Sequence, residues 1–410
     1  MQRSKPFVAC LMATAFLLAA CGSSSSDSES PISGQPAGGD APEGDPIIIG
    51  LDEDSTSAGA AYSVTTAKAI RDTVDKVNDE GGILDRPVKL VVVNSESDPT
   101  KGSAVARKMI EEDAVAVFLT AGSAASIQMK PVLQKEKVLA IAPTASNADL
   151  IKQPDADYVY TVAPSSASWP PIYCSAFEKM GVEKLAVLTE NTPTLTSLNE
   201  FLIDDGVAKC ADVVAIEKAD TDATDVTAQA VKIKNAKPDA VLIATSGGSF
   251  EVLAQNTLEQ VMADTPRFTV ATLANQPSEW RAANAGALDG LLALASIDIT
   301  NPRTKEAIDF FKSVRGDDFV ITGFDAQAYD SVYLLKEALE GAGGTDDPEA
   351  IKAAMDEISD YQPHYGLADF TLSFDAEKHN GPDGSCGYLL AEFTEDNTLG
   401  EPADVFEASC

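Results

Sequence analysis

The chain reads as an α/β protein built from two doubly wound, parallel-sheet units. Two observations predict this. First, short apolar runs such as Ile47-Ile48-Ile49-Gly50-Leu51 and Ala240-Val241-Leu242-Ile243-Ala244 alternate with longer segments of helical period. Strands this apolar are buried on both faces of a sheet, and the segments between them supply the covering helices. Second, the rhythm runs twice at similar length, with a break near 158–168.

The first run opens with a strand over 47–51. A helix follows over 60–78, where Ala67, Ile70, Val74 and Val77 recur at spacings of three and four and so share one face. Gly81-Gly82 ends it. A strand occupies 88–93. Asp98-Pro99 predicts a helix start, as N-cap and first helical residue, with Val105 and Met109 facing inward. Strands at 115–119 and 138–142 flank a helix reaching Lys137. Pro131 is expected near the end of that helix's first turn, where a missing N–H costs little. Residues 158–162 form a strand leading out to Ala163-Pro164. The second run gives helices near 171–180, 195–208, 226–235 and 250–262. Its strands are 185–188, 213–216, 240–244, 268–273 and 290–296. Helices over 304–314 and 326–339 are expected to join the first unit. From 370 to 393 the pattern changes to short strands with Gly and Pro turns.

The start of the chain has a different character. Arg3 and Lys5 precede an apolar stretch that ends Leu18-Ala19-Ala20-Cys21. A positive start, a short apolar core and small residues before the cut make a secretory leader. Its end on Cys21 resembles a bacterial lipoprotein signal, in which the cysteine becomes the lipidated first residue. The stretch is shorter than the about 20 residues a membrane span needs. Residues 1–20 are therefore expected to be leader. Residues 21–46, with Ser23-Ser24-Ser25-Ser26 and scattered Gly and Pro, are expected to be a flexible tether. The protein would be held outside the cytoplasmic membrane, at the cell surface or in a periplasm.

The formal charge over 410 residues is −34, and loss of Arg3 and Lys5 with the leader takes it to −36. So acidic a surface argues against nucleic acid and anionic headgroups as partners. Four cysteines remain in an oxidising compartment: Cys174, Cys210, Cys386 and Cys410. Three pairings are possible. Cys174–Cys210 and Cys386–Cys410 are favoured because each falls within one local unit. No C-x-x-C spacing supports a zinc site.

In open parallel sheets, ligands bind beyond the carboxyl ends of the strands. The loops there are rich in Ser, Thr, Gly and Asn. Thr120-Ala121-Gly122-Ser123-Ala124-Ala125-Ser126 opens a helix, and its hydroxyls and free N–H groups suit an anion such as a carboxylate. Pro143-Thr144-Ala145-Ser146-Asn147 is similar. The plainer alternative makes Ser123 or Ser126 an N-cap, and Ser146 with Asp149 a capping box. Asp52-Glu53-Asp54 is expected to be a solvated charge run. Catalysis finds little support. His364 and His379 are the only histidines, and both fall in the irregular C-terminal part. No nucleophile elbow, P-loop, dinucleotide fingerprint or metal-ligand cluster occurs. No cofactor, metal or enzymatic activity is expected.

Several stretches together carry a family resemblance. They are Val77-Asn78-Asp79-Glu80-Gly81-Gly82-Ile83-Leu84, Ser97-Asp98-Pro99, Ala142-Pro143-Thr144-Ala145-Ser146-Asn147, Tyr160-Thr161-Val162-Ala163-Pro164, Pro238-Asp239-Ala240-Val241 and Ala328-Tyr329-Asp330-Ser331-Val332. In this order and spacing the chain resembles the solute-binding lipoproteins of ABC importers for branched-chain amino acids, with the type I periplasmic-binding fold. The resemblance implies two lobes joined by a three-segment hinge, 47–163 with 297–378 and 164–296 with 379–410, closing over a ligand. It implies a monomer that delivers its solute to an ABC permease and ATPase complex. A ligand-sensing receptor coupled to a signalling partner is the alternative.

The same resemblance assigns residues. Ser123 and Ser146 match hydroxyls that grip the ligand's carboxylate, Thr144 matches a position used through its backbone, and Tyr62 matches a cleft aromatic. In the second lobe, Thr272 stands near the place of the family's usual acid, and Thr194 and Ser246 stand near its tyrosines. Trp169 supplies either a stacking face or hinge packing. Trp280 reads as ordinary packing. An ammonium held without a carboxylate loses a contact worth about 1.5–3 kcal/mol. The expected ligand is therefore an amine-free carboxylate, an amide or another small polar metabolite.

Overall fold

The computed structural model describes residues 42, 44–56 and 60–407, excepting the side chains of Ala61, Pro193, Thr194 and Ser197. The expected leader, the lipidation of Cys21, nearly all of the tether and the partner role of Cys410 fall outside the described residues.

The first sheet holds β1 (Ile47–Asp52), β2 (Val88–Val93), β3 (Ala116–Leu119), β4 (Leu139–Ala142) and β5 (Val159–Thr161) in the order β2-β1-β3-β4-β5, all parallel. Between them run α1 (Ala60–Asp79), α2 (Gly102–Glu111) and α3 (Ser123–Glu136). Parallel neighbours need a crossover helix, so the alternation of apolar run and amphipathic helix dictates this layout. Gly50 sits in β1 because α2 lies against it. A Cβ there would come within 2.7 Å of the Met109 sulfur.

The chain then passes to a second sheet. This contains β6 (Lys184–Glu190), β7 (Asp212–Ala219), β8 (Ala240–Ala244), β9 (Arg267–Thr269), β10 (Leu292–Ala295), β11 (Leu389–Phe393) and β12 (Leu399–Pro402), in the order β12-β11-β10-β9-β8-β6-β7. Its helices are α4 (Trp169–Met180), α5 (Pro193–Asn199), α6 (Thr227–Ala236), α7 (Gly248–Met262), α8 (Ala271–Ala274) and α9 (Pro277–Ala282). After β10 the chain returns to the first sheet as α10 (Pro302–Arg315), α11 (Gly323–Ala342) and α12 (Pro348–Asp356). Ala307, Phe311, Leu335 and Met355 from these helices share a core with Ile47, Ile49, Leu139 and Ile141. It then crosses back to supply β11 and β12.

The parallel doubly wound reading holds for the first sheet, and the second departs from it. β11 pairs antiparallel with β10, and β12 antiparallel with β11. Only five residues separate β11 from β12, which suffices for a hairpin and not for a parallel crossover. Other local expectations also shift. α2 begins at Gly102, because the Asp98 carboxylate accepts from Thr100 N–H at 2.8 Å and closes a turn before the helix. Pro131 lies in the interior of α3 and not in its first turn. The expected strand 268–273 is strand only to Thr269, and then turns into α8.

Cys174 and Cys210 form a disulfide, with Cα atoms 5.6 Å apart, tying α4 to the turn before β7. Cys386 is buried and disulfide-bonded. No helix among the described residues is long and apolar enough to cross a membrane.

Candidate functional site

The carboxyl ends of β1, β3 and β4 and those of β8 and β9 frame one cleft of about 400 Å³. Tyr62, Ser123, Thr144, Ser146, Trp169, Ser246 and Thr272 all line it. These sequence-selected residues come from widely separated parts of the chain, yet the two sheets bring them together. Thr194 lies in α5, but its side chain is outside those described. Leu195 and Leu198 of the same helix, with Leu119, Ala271, Phe324 and Tyr388, add apolar lining that the sequence reading missed.

On the first side, α3 starts at Ser123 behind Gly122. That glycine has φ 35°, and its amide end carries no side-chain cap. A Cβ on Gly122 would sit 2.8 Å from the Tyr62 hydroxyl, so glycine keeps the turn open beside the ring. The N-cap alternative for Ser123 and Ser126 therefore fails. Ser126 instead donates back to the Gly122 carbonyl at 3.1 Å. Likewise Asn147, not Ser146, caps the short turn at 148–150 by accepting from Asp149 N–H at 2.9 Å. Among the described residues, the Ser123, Thr144 and Ser146 hydroxyls have no hydrogen-bond partner. Their neighbours are committed: Thr120 Oγ1 donates to the Asp52 carbonyl at 2.6 Å, and Ser97 Oγ donates to Asp54 at 2.6 Å.

The expected solvated acid run is in fact buried. Asp52 and Asp54 are 0% exposed and Glu53 is 9% exposed. The end of β1 is roofed by α1 and by the loop carrying Ser95 and Ser97. Asp54 accepts from Ser97 and from Thr56 N–H, and Glu53 pairs with Arg71. Burial pushes the Asp52 carboxyl up to about 7, although Ser95 beside it pulls the other way. Burial also raises the Tyr62 phenol.

On the second side, the loop Thr245-Ser246-Gly247-Gly248 rests on carboxylates. Ser246 Oγ donates to Glu190 Oε2 at 2.8 Å, Thr245 Oγ1 donates to Glu251, and Gly248 N–H donates to Glu279. Glu251 also accepts from Thr269 at 3.0 Å and from Gln255 at 2.8 Å. Burial raises Glu251, and it pushes Glu279 up to about 8. None of these acids stood out in the sequence, since their partners lie on other elements, as Ser246 does for Glu190 and Gly248 for Glu279. Trp169 is 8% exposed and stands edge-to-face with Tyr388, ring centres 6.0 Å apart, so it both packs and lines the cleft.

A second hollow of about 700 Å³ opens on the outer face between α1 and α11. Its lysines Lys76 and Lys336 are paired with Glu80 and Glu340, and it lies away from the strand ends. Among the described residues no group of His, Cys, Asp and Glu is arranged to hold a metal.

The cleft's setting agrees with what the chain is similar to. A family model described as periplasmic binding protein matches residues 46–391. The Leu/Ile/Val-binding protein BraC3 of Rhizobium johnstonii is 25% identical over 313 residues, covering 75% of this chain and 83% of that protein. Among solved structures, the branched-chain amino acid transporter substrate-binding protein LivJ of Streptococcus pneumoniae, in complex with isoleucine, has a TM-score of 0.75 at 22% identity, covering 88% of this chain and 99% of that one. An ABC transporter solute-binding protein of R. palustris, in complex with benzoate, has a TM-score of 0.73 at 20% identity, covering 89% and 98%. The family consists of non-enzymatic proteins that bind small molecules outside the cytoplasm and work with ABC transporters. The match, which spans both sheets, shows that the chain belongs to the periplasmic binding protein family.

Proposed function

We propose that the protein is a lipid-anchored receptor of an ABC importer. It captures a small carboxylate- or amide-bearing metabolite between two lobes, 47–163 with 297–378 and 164–296 with 379–410, and delivers it to the permease. The observation that carries this reading is the set of unpartnered hydroxyls, Ser123, Thr144 and Ser146, beside the uncapped start of α3 in one cleft. Such a group offers several donors to one acidic or carbonyl end and satisfies nothing else. Among the described residues no carboxylate lines the cleft. An α-ammonium would therefore lack a direct anionic partner, which favours an amine-free solute. Similar proteins are named for Leu, Ile and Val or hold benzoate, so the fold accommodates acids with and without an amine.

A thermal-shift screen of the purified protein tests this. Amino acids, aliphatic and aromatic acids, amides and ureas make the panel. A ligand at a hundredfold excess over its Kd adds about 2.7 kcal/mol of stability. Stabilisation by amine-free acids or amides is expected. Stabilisation by branched-chain amino acids alone would overturn the ligand class, and none by any compound would overturn the receptor reading.

A further inference from the structure

We infer that Glu190 is a specificity-determining residue that acts through Ser246. It restricts the second wall of the cleft to a ligand group bearing an N–H or O–H. This rests on the receptor reading above and names the chemistry at one end of the solute.

Glu190 ends β6 and is 2% exposed, one layer behind the cleft surface. Ser246 follows β8 and lines the cleft. A serine hydroxyl has a single proton, and that of Ser246 is given to Glu190 Oε2 at 2.8 Å. What Ser246 offers the cleft is therefore lone pairs. Thr272 beside it is in the same condition, since its proton goes to the Thr245 carbonyl at 3.1 Å. Thr245 gives its own proton to Glu251. Glu190, Glu251 and Glu279 are all at least nine-tenths buried, and among the described residues none is in a salt bridge with Lys or Arg. Arg267 reaches this group only through Gln255.

The cleft is thus polarised. Its first wall holds the uncommitted protons of Ser123, Thr144 and Ser146, and its second wall offers the acceptor lone pairs of Ser246 and Thr272. A ligand that turned an ether, ester or second carboxylate toward Ser246 would set lone pair against lone pair. Glu190→Gln removes the constraint at the same size. The glutamine amide can donate to Ser246 Oγ and release its proton toward the ligand.

Matched probe pairs read this directly. 4-Hydroxyphenylacetate is compared with 4-methoxyphenylacetate, and succinamate with monomethyl succinate, by calorimetric titration of the wild type, Glu190→Gln and Ser246→Ala. Each pair shares a carboxylate and differs in a donor at the far end. For any pair that binds, the wild type should prefer the donor member about tenfold or more. Either substitution should bring that ratio to about threefold or less, a change that general loosening of the fold would not produce. A wild-type ratio below about twofold overturns the inference alone. So does a ratio that survives both substitutions. Binding by no acid of either pair, nor by any acid or amide of the screen, overturns the receptor reading and takes this inference with it.

Discussion

Replacing Arg315 by Met should cost more stability than any surface substitution, and the cost should depend on pH. Arg315 is 8% exposed at its side chain. Its Nε donates to Asp72 Oδ2 at 2.5 Å and its Nη1 to Asp325 Oδ1 at 2.8 Å. Its guanidinium carbon lies 4.6 Å from the ring centres of Phe311 and of Phe319. Asp325 is wholly buried and forms the capping box of α11 with Thr322, and Phe324 beside it lines the cleft. Burial raises the Asp325 carboxyl, and Arg315 holds it down. Methionine fills similar volume but leaves the carboxylate without its cation. Breaking a buried pair in this way costs about 3–5 kcal/mol. Protonating Asp325 relieves the unpaired charge, so the loss should shrink as the pH falls from 7.5 to 5. The double variant Arg315→Met with Asp325→Asn should recover part of it. Urea unfolding at both pH values is the assay. A loss below about 1 kcal/mol at pH 7.5, or a loss of equal size at pH 5, would refute the reasoning.

Two further predictions concern titrating groups. Asp52 holds its proton to about pH 7 in the folded state, far above an unfolded aspartate, so wild-type stability falls as the pH rises from about 4 to 7. Asp52→Asn should therefore stabilise the protein by up to about 4 kcal/mol at pH 8 and change little at pH 3.5. A difference in unfolding free energy that stays flat with pH would contradict this. For His364, burial alone lowers the pKa, but the buried Asp330 carboxylate 2.6 Å from Nδ1 outweighs it and the net shift is upward. Its stabilisation is complete below about pH 6.5 and is lost as the pH rises through the folded value. His364→Gln should flatten the fall in urea midpoint above pH 6.5, and an unchanged slope would count against the pair.

Much of this molecule was legible because its signals are local. β3, β4 and β8 are apolar without a break, β1 is apolar as far as Asp52, and α1 repeats its apolar face at three and four. The cleft hydroxyls were legible because they follow strand ends in a parallel sheet, where loops carry the chemistry. Other features depend on partners distant in sequence. Asp52-Glu53-Asp54 looks solvated until Ser97, Ser63 and Arg71 are folded over it. Glu190 looks like a strand-end charge until Ser246, 56 residues on, turns to it. The 268–273 run is rich in β-formers and has no Gly or Pro, so its composition could not place the turn from β9 into α8. The antiparallel direction of β11 was missed because a buried antiparallel strand has the same composition as a buried parallel one.

On the proposed reading the first wall grips the solute's acidic end through Ser123 and Ser146. Calorimetric titration of the tightest-binding acid into wild type and Ser123→Ala with Ser146→Ala tests it most directly. Two lost hydrogen bonds should weaken binding by about 2 kcal/mol, roughly thirtyfold, with little change in melting temperature of the free protein. Affinity within twofold of wild type would contradict the account.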